Sequence, residues 1–183
     1  MRVISGTARG RKLKEPTGNK IRPTSDKVKE SVFNIIQFDI EGRRVLDLFA
    51  GSGQYGIEAL SRGAKSAVFV DTLSDAVRLV RENVQTCGFS DIASILARDA
   101  LRFLESDEKY DLIFIDPPYD TSLAFSAIEK IVLFDKLNIN GIIVTELKSD
   151  AVSPQITAPY SLEKEYRYGG VKIAKYTRCH DFS

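Results

Sequence analysis

From residue 42 onwards, short apolar runs alternate with stretches whose apolar residues recur every three or four positions. Apolar runs of strand length occupy residues 44–49, 66–70, 93–96 and 112–115. Between the second and third runs, the spacing predicts one apolar helix stripe, made of Leu73, Val77, Val80, Val84 and Cys87. Alternating strands and helices are typical of βαβ units, whose parallel strands are covered by helices on both faces. The chain is therefore predicted to be an α/β protein with a mostly parallel sheet.

Later residues add three strand-like runs, at 141–147, 162–168 and 171–176. Gly169 and Gly170 separate the last two, and such a link predicts an antiparallel hairpin that closes a seven-stranded sheet. Before residue 42, Thr24 or Ser25 can cap a helix with Asp26 in its first turn. The apolar face of that helix would comprise Val28, Val32, Ile35 and Ile36.

The composition excludes several classes of protein. A chain of 183 residues with 43% apolar and 28% charged residues is typical of one globular domain. Cys87 and Cys179 lie far apart and the only histidine is His180, so a disulfide framework, a zinc site and catalysis by a core histidine are not expected. No segment has the pattern of a signal peptide or a membrane span. We therefore expect a cytoplasmic protein without metal or membrane contact.

A glycine-rich loop follows the first predicted strand. Gly51, Gly53 and Gly56 satisfy G-x-G-x-x-G, and Asp71 follows Gly51 by 20 residues at the end of the second strand. Such glycines let the backbone approach a ligand, while the acid accepts hydrogen bonds from ribose hydroxyls. A nucleoside cofactor is predicted, either NAD or S-adenosylmethionine. Asp47 favours the second, because a carboxylate beside the loop suits a methionine ammonium and would repel a pyrophosphate.

The fourth predicted strand runs directly into Asp116-Pro117-Pro118-Tyr119. Two prolines cannot continue a hydrogen-bonded ladder, and they hold the backbone rigid at the edge of the sheet where ligands bind. The Asp116 carboxylate and the Pro117 carbonyl would accept hydrogen bonds, and the Tyr119 ring would offer a stacking surface. Together they predict a receptor for the exocyclic amino group of a planar base. The alternative is a rigid strand terminator followed by a surface tyrosine.

The net charge of +1 conceals a gradient along the chain. Residues 1–22 contain seven basic side chains and one acidic one, which gives this segment +6 and leaves the remainder at −5. A basic segment can dock on phosphates, although a charge run can also be a solvated face. A pocket that takes up one base needs contacts to the backbone of the same strand, which favours nucleic acid as the partner. The predicted RNA-binding residues are Arg9, Arg11, Lys12 and Arg22.

These motifs occur in a combination that resembles the bacterial small-subunit (16S) ribosomal RNA guanine-N2 methyltransferase family. The resemblance is carried by SGTARGRKLKEP, IRPTSDKVKESVFNII, LDLFAGSG, SRGAKSAVFVD, RDAL and DPPY, and it covers essentially the whole chain. It implies a Rossmann-like, S-adenosylmethionine-dependent fold and methyl transfer to the exocyclic N2 of a guanine in ribosomal RNA, free or in an assembling subunit. It also divides the chain into a basic extension at 1–24, which would contact RNA, and a catalytic domain at 25–183.

The resemblance also implies a role for individual residues. Asp47, Gly51 and Gly53 would surround the methionine part of the cofactor, and Asp71 would bind the ribose. Asp99, which could equally cap the helix predicted at 100–105, would meet the adenine together with the Ala100 backbone. The Asp116 to Tyr119 segment would hold the guanine, and the segment from Arg22 to Thr24 would close the cofactor pocket or meet RNA.

The sequence departs from the family pattern at four positions and leaves other functions open. The departures are Gln54, Tyr55, Asp71 in place of glutamate, and Arg98. A DNA or RNA adenine-N6 methyltransferase would use the same amino-group receptor, although 183 residues leave no room for a domain that reads a DNA sequence. An NAD-dependent oxidoreductase fits the glycine loop but not the proline motif. A non-catalytic RNA-binding assembly factor is the third alternative.

Overall fold

The computed structural model describes residues 1–16, 26–117 and 121–179. Its strands are β1 (Arg44–Leu48), β2 (Ser66–Asp71), β3 (Ala93–Ala97), β4 (Tyr110–Ile115), β5 (Leu137–Lys148), β6 (Tyr160–Tyr168) and β7 (Val171–Arg178). Its helices are α1 (Asp26–Ile35), α2 (Gln54–Ser61), α3 (Ser74–Cys87), α4 (Ala100–Phe103) and α5 (Thr121–Leu133), with one 3₁₀ turn at Ser90–Ile92. None of these helices has the length and apolar character needed to span a membrane, within the part of the chain described.

The seven strands form one sheet in the order β3-β2-β1-β4-β5-β7-β6. The first five are parallel, and β7 pairs antiparallel with both β5 and β6. The predicted mostly parallel sheet with an antiparallel hairpin at its end is confirmed. The strand order reverses between β1 and β4, and a crevice opens at such a point outside the carboxyl ends of the strands.

Alternate residues of the central strands supply two apolar layers. Val45, Leu112 and Val144 face the layer that contains α1, α2 and α3. Their neighbours in sequence, such as Leu46 and Ile113, face the layer that contains α4 and α5. Because both faces are covered, the parallel strands are apolar along most of their length.

Several boundaries differ from those predicted. The first strand ends at Leu48 because Phe49 has φ of 59°, which turns the chain into the glycine loop. The fifth strand begins earlier, at Leu137, and passes through an irregular register near Asn140, whose φ is 60°. The helix that follows Asp99 ends at Phe103, earlier than predicted.

Two of the predicted helices also differ in detail. Ile36 is buried, as predicted, but it lies just beyond the end of α1. The other members of the stripe predicted for α3 are buried, whereas Leu73 precedes the helix and is 58% exposed. Thr24 and Ser25, the predicted capping residues of α1, lie outside the described residues.

We call residues 1–16 the N-terminal arm. The Val3 N–H donates to the Arg11 carbonyl over 2.9 Å, and the Gly10 N–H donates to the Val3 carbonyl over 2.9 Å. Val3 and two further apolar residues of the arm, Ala8 and Leu13, are buried in the same core as α1, α2 and α3. The arm is therefore packed on the body of the protein, while its basic side chains remain exposed.

A buried carboxylate on α2 fixes the arm. Glu58 is fully buried, and its two oxygens accept hydrogen bonds from the Ile4 N–H at 2.8 Å and the Ser5 N–H at 3.0 Å. Arg62 Nε donates to the same carboxylate over 2.8 Å. The ammonium of Lys29, also fully buried, lies 3.6 Å from Glu58 and donates to the Arg2 carbonyl over 2.6 Å. Burial lowers the pKa of Lys29, against the opposing effect of Glu58.

We predict that Glu58→Ala lowers the free energy of unfolding by about 3–5 kcal/mol, because it leaves the Lys29 charge and the arm's N–H groups without their acceptor. Urea denaturation followed by circular dichroism measures this change. Glu82→Ala is the matched control, since Glu82 forms only an exposed ion pair with Lys14 and its loss should leave stability unchanged. Equal effects of the two substitutions would contradict the anchoring role of Glu58.

Candidate active site

The loop after β1 brings backbone to the open edge of the sheet. Gly51 and Gly53 have φ of 57° and 77°, values that side chains disfavour. A Cβ at Gly51 would meet only its own loop, at 3.9 Å from the Phe49 carbonyl oxygen. A Cβ at Gly56 would instead lie 2.3 Å from the ring of Phe69. Gly51 thus leaves the edge open to a ligand, whereas Gly56 allows α2 to pack closely on β2.

Asp71, at the end of β2, ties this loop to the next one. Its carboxylate accepts hydrogen bonds from the Gly51 N–H and the Leu73 N–H, both at 2.9 Å. Leu73 therefore presents an exposed apolar side chain directly beside the carboxylate. Sequence reasoning missed this residue because its spacing also fits the apolar stripe of α3. The signal that could have found it is its place just before the helix and two residues after the acid.

Asp47 lies beneath the glycine loop. Its side chain is buried and accepts a hydrogen bond from the Gly56 N–H at 2.9 Å. Burial raises the pKa of Asp47 to about 8; the Gly56 hydrogen bond opposes this shift and the nearby Asp71 charge adds to it. A neighbouring cation would favour the ionised form of a carboxyl group that is buried in this way.

The third strand leads to Asp99, which caps α4. Its carboxylate accepts the Arg102 N–H at 2.9 Å, so the predicted capping role is confirmed. The Arg98 N–H donates to the Asp71 carbonyl over 3.0 Å and holds this turn against the end of β2. Ala100 is buried in the first turn of α4. The contact of Asp99 and Ala100 with adenine stays a prediction.

The fourth strand delivers Asp116 and Pro117 to the same edge. Ile115 pairs with Leu48 of β1 on one side and with Thr145 of β5 on the other. Thr145 Oγ1 donates to the Ile115 carbonyl over 3.1 Å, which fixes the strand end. Asp116 and Pro117 are both half-buried. The structure thus brings Asp116 to the edge that carries the glycine loop. Pro118, Tyr119, Arg22 and Thr24 lie outside the described residues.

Tyr55, a departure from the family pattern, is part of the core beneath the site. Its ring stacks on Phe114 with a centroid distance of 5.1 Å, and its hydroxyl donates to Glu146 Oε2 over 3.3 Å. Because Thr145 pairs with Ile115, Glu146 lies level with Asp116 on the neighbouring strand. Tyr55 therefore supports the strands that carry both acids.

Gln54 begins α2 directly after the glycine loop and is a second departure. Its Oε1 is buried and has no hydrogen-bond partner among the described residues. A buried acceptor without a donor is costly, and a donor group of a ligand would satisfy it. The acceptors Asp47, Gln54 and Asp71 suit a ligand with an ammonium and ribose hydroxyls, which is what S-adenosylmethionine presents. Among the residues described, no group of three or more His, Cys, Asp or Glu is arranged to hold a metal ion.

The N-terminal arm connects this edge with a more distant surface. Near its tip, the Ala8 N–H donates to Ser61 Oγ over 3.0 Å at the end of α2, about 10 Å along the helix from the glycine loop. Near its end, the Lys14 N–H donates to Asn83 Oδ1 over 2.8 Å, and Asn83 donates in turn to the Ser52 carbonyl of the loop over 2.9 Å. The exposed Arg9 and Arg11 therefore lie away from the predicted cofactor residues rather than among them.

Comparison with known proteins agrees with this geometry over nearly the full chain. The Bacillus subtilis protein named "Putative rRNA methyltransferase YlbH" is 39% identical, with 97% of this chain and 99% of that protein aligned. The Haemophilus influenzae protein named "Ribosomal RNA small subunit methyltransferase D" is 36% identical, with 96% and 93% aligned. The solved structure "Putative methyltransferase yhhF" from Escherichia coli superposes with a TM-score of 0.88 at 30% identity, and 98% of each chain is covered.

The model of one protein family also matches residues 1–177. This match spans the N-terminal arm, the glycine loop, the Asp116-Pro117 edge and the β6–β7 hairpin. The chain therefore belongs to the family described as conserved hypothetical protein 95, with the fold of the S-adenosylmethionine-dependent methyltransferases.

Proposed function

We propose that this protein transfers a methyl group from S-adenosylmethionine to the exocyclic N2 of a guanine in small-subunit (16S) ribosomal RNA. The observation that carries the proposal is the position of Asp116 and Pro117 at the end of β4, beside the loop that follows β1. An amino-group receptor and a nucleoside site therefore share one edge of the sheet. The names of the relatives from Haemophilus influenzae and Escherichia coli specify methylation of small-subunit ribosomal RNA.

Different residues at the edge bind different parts of the cofactor. Asp71 binds the ribose hydroxyls, and the exposed Leu73 beside it covers one face of the adenine. Asp99 and the Ala100 backbone meet the adenine edge, while Asp47 and the loop at Gly51 and Gly53 hold the methionine part. Thr24, which lies outside the described residues, would help to close this pocket or meet RNA, as the family resemblance implies. When bound, the cofactor supplies a methyl group on a sulfonium, which is already an activated leaving group.

The residues after β4 orient the base. The Asp116 carboxylate and the Pro117 carbonyl accept hydrogen bonds from the amino group, and Tyr119 stacks on the ring. With the amino group held in this way, its lone pair would face the methyl group of a bound cofactor, and the N–C bond would form as the C–S bond breaks. The proton released from the nitrogen leaves along the hydrogen bond to Asp116. The protein's contribution is orientation and hydrogen bonding.

Nucleophilic catalysis by cysteine is not part of this mechanism. Cys87 lies at the end of α3, remote from the carboxyl edge that holds Asp116, and burial raises the pKa of its thiol. A thiol kept protonated in this way is a poor nucleophile.

The basic side chains of the arm supply the RNA contact. Arg9, Arg11 and Lys12 are exposed on a segment that Glu58 fixes to the body of the protein. Arg22, between the arm and α1 in sequence and outside the described residues, would add a further RNA contact. Because phosphate contacts contribute most of the non-specific affinity for nucleic acid, the arm holds the strand while the edge of the sheet receives one base. In this arrangement 1–24 binds RNA and 25–183 carries out catalysis.

An adenine-N6 methyltransferase remains the second candidate, because Asp116 and Pro117 recognise an amino group and not a particular base. An NAD-dependent enzyme is disfavoured by the buried Asp47, whose carboxylate would repel a pyrophosphate when ionised. Calorimetry with each cofactor separates the two enzyme classes. Binding of NAD without binding of S-adenosylmethionine would overturn the proposal.

We predict that Asp116→Ala reduces methyl transfer to small-subunit ribosomal RNA by about 100- to 1,000-fold, because the amino group loses an oriented acceptor. Calorimetry should show unchanged affinity for S-adenosylmethionine. Asp111→Ala is the control, since Asp111 lies at the opposite end of β4 and accepts the Arg44 N–H. Persistent activity in Asp116→Ala would remove this residue from the mechanism.

We also predict that affinity for S-adenosylmethionine rises from about pH 6 to about pH 7.5, by at most about tenfold per unit. With its pKa near 8, Asp47 is mostly protonated in this range. A bound ammonium lowers that pKa, so binding releases a proton and is favoured as the pH rises. Calorimetry in two buffers that differ in ionisation enthalpy measures the release. Asp47→Asn should abolish the pH dependence, and an unchanged slope in this variant would contradict the assignment.

A further inference from the structure

A second basic surface lies at the carboxyl edge of the sheet, on the hairpin side. It is a groove of about 530 Å³ where β5 ends and β6 turns into β7. Its lining consists of Lys148, Ser149, Asp150, Arg167 and Gly170. We call it the edge groove. No large apolar side chain lines it, so it does not resemble the apolar centre of a protein–protein interface.

The two basic side chains of the edge groove, Lys148 and Arg167, stabilise no other part of the fold through an ion pair in the described part of the chain. Lys148 and Arg167 are exposed, and neither forms an ion pair within 4 Å there. Lys172, on the strand between them, contrasts with both: it is buried, donates to the Ala151 carbonyl and pairs with Glu165 at 2.9 Å. The charges of Lys148 and Arg167 are therefore available to a ligand.

Arg167 also lies near Glu165, and Asp150 is the one carboxylate in the lining. The pKa of Glu165 is lowered first by its hydrogen bonds with Ser153 and Lys172, and only secondarily by the charge of Arg167. Asp150 offsets part of the positive charge. The edge groove retains an excess of one positive charge and a wide opening to solvent.

The strand register places the edge groove close to the receptor for the base. Ile115 pairs with Thr145, so Asp116 is level with Glu146, and Lys148 lies two residues further along β5. With strands about 4.8 Å apart and about 3.3 Å per residue, the backbone of Lys148 is about 8 Å from that of Asp116. Arg167 pairs with Lys172 and lies two strands further from the centre.

The N-terminal arm lies on the other side of Asp116. It packs on α2 and contacts α3 through Asn83, and these helices follow β1 and β2. In the strand order, β1 and β2 lie on one side of β4, whereas β5, β7 and β6 lie on the other. A strand whose base reaches Asp116 would thus pass between two separate basic surfaces.

We propose that the edge groove is a second RNA-binding surface, in which Lys148 and Arg167 contact phosphates on the side of the target nucleotide opposite to the arm. This inference rests on the proposed function, since it requires an RNA substrate. Extrusion of one base costs unstacking energy, and phosphate contacts on both sides of that base would offset more of this cost than the arm alone. Two exposed basic side chains, Lys148 and Arg167, at an opening to solvent suit phosphates.

Fluorescence anisotropy with a protein-free fragment of small-subunit ribosomal RNA, at several salt concentrations, tests the proposal. Lys148→Glu and Arg167→Glu should each weaken binding by about 3- to 10-fold at about 0.1 M salt, and each should reduce the salt slope by about one. Affinity for S-adenosylmethionine should not change. Lys65→Glu is the control: it makes the same charge change on an exposed residue at the amino end of β2 that forms no ion pair in the described part of the chain, and it should leave RNA affinity nearly unchanged.

The arm provides the comparison that separates this inference from the proposed function. If Arg9→Glu and Arg11→Glu weaken RNA binding while Lys148→Glu and Arg167→Glu behave like Lys65→Glu, the edge groove is not an RNA surface, and the proposed function stands. An effect of Lys148→Glu only on assembled subunits, with protein-free RNA bound normally, would assign the groove to a protein and overturn the proposal. Absence of RNA binding by the unmodified protein would refute the proposed function itself.

Discussion

In the centre of the sheet, β1 and β4 pair in parallel, so that Leu48 and Ile115 end side by side. The backbone after each strand must then leave the sheet at the same edge. Along the chain, β1 is followed by the glycine loop and α2, and β4 is followed by Asp116 and Pro117. The helices on the two faces prevent either segment from folding back over the sheet, so the cofactor loop and the base receptor stand next to each other.

Buried charge is used in two different ways around this edge. Glu58 is buried with two cations and two backbone N–H groups, so its charge is compensated and it fixes the arm. Asp47 is buried with the Gly56 N–H as its one donor among the described residues, and its pKa is raised to about 8. The first arrangement is complete without a ligand. The Asp47 arrangement lacks a compensating charge until a cation binds beside it. We expect the enzyme to work with this cation bound.

The sequence was sufficient to predict the sheet, the hairpin and the residues at its edge, because each depends on patterns of residues that lie close together along the chain. Packing between distant segments could not be predicted in this way. The arm was expected as an extension, yet Val3 joins the main core through contacts made far along the chain. Leu73 fits a helix stripe by spacing, but its exposure depends on how Asp71 holds the turn before α3. Tyr55 looked like a change in the cofactor pocket, whereas its ring packs on Phe114.

The central claim is that the edge of the sheet methylates the amino group of one guanine. Its most direct test is incubation with S-adenosylmethionine carrying a labelled methyl group and with small-subunit ribosomal RNA, free and as assembled subunit. Nuclease digestion and mass spectrometry then identify the modified nucleoside. We expect label in N2-methylguanosine at a single position. Label in N6-methyladenosine, or no label with either substrate, would contradict it.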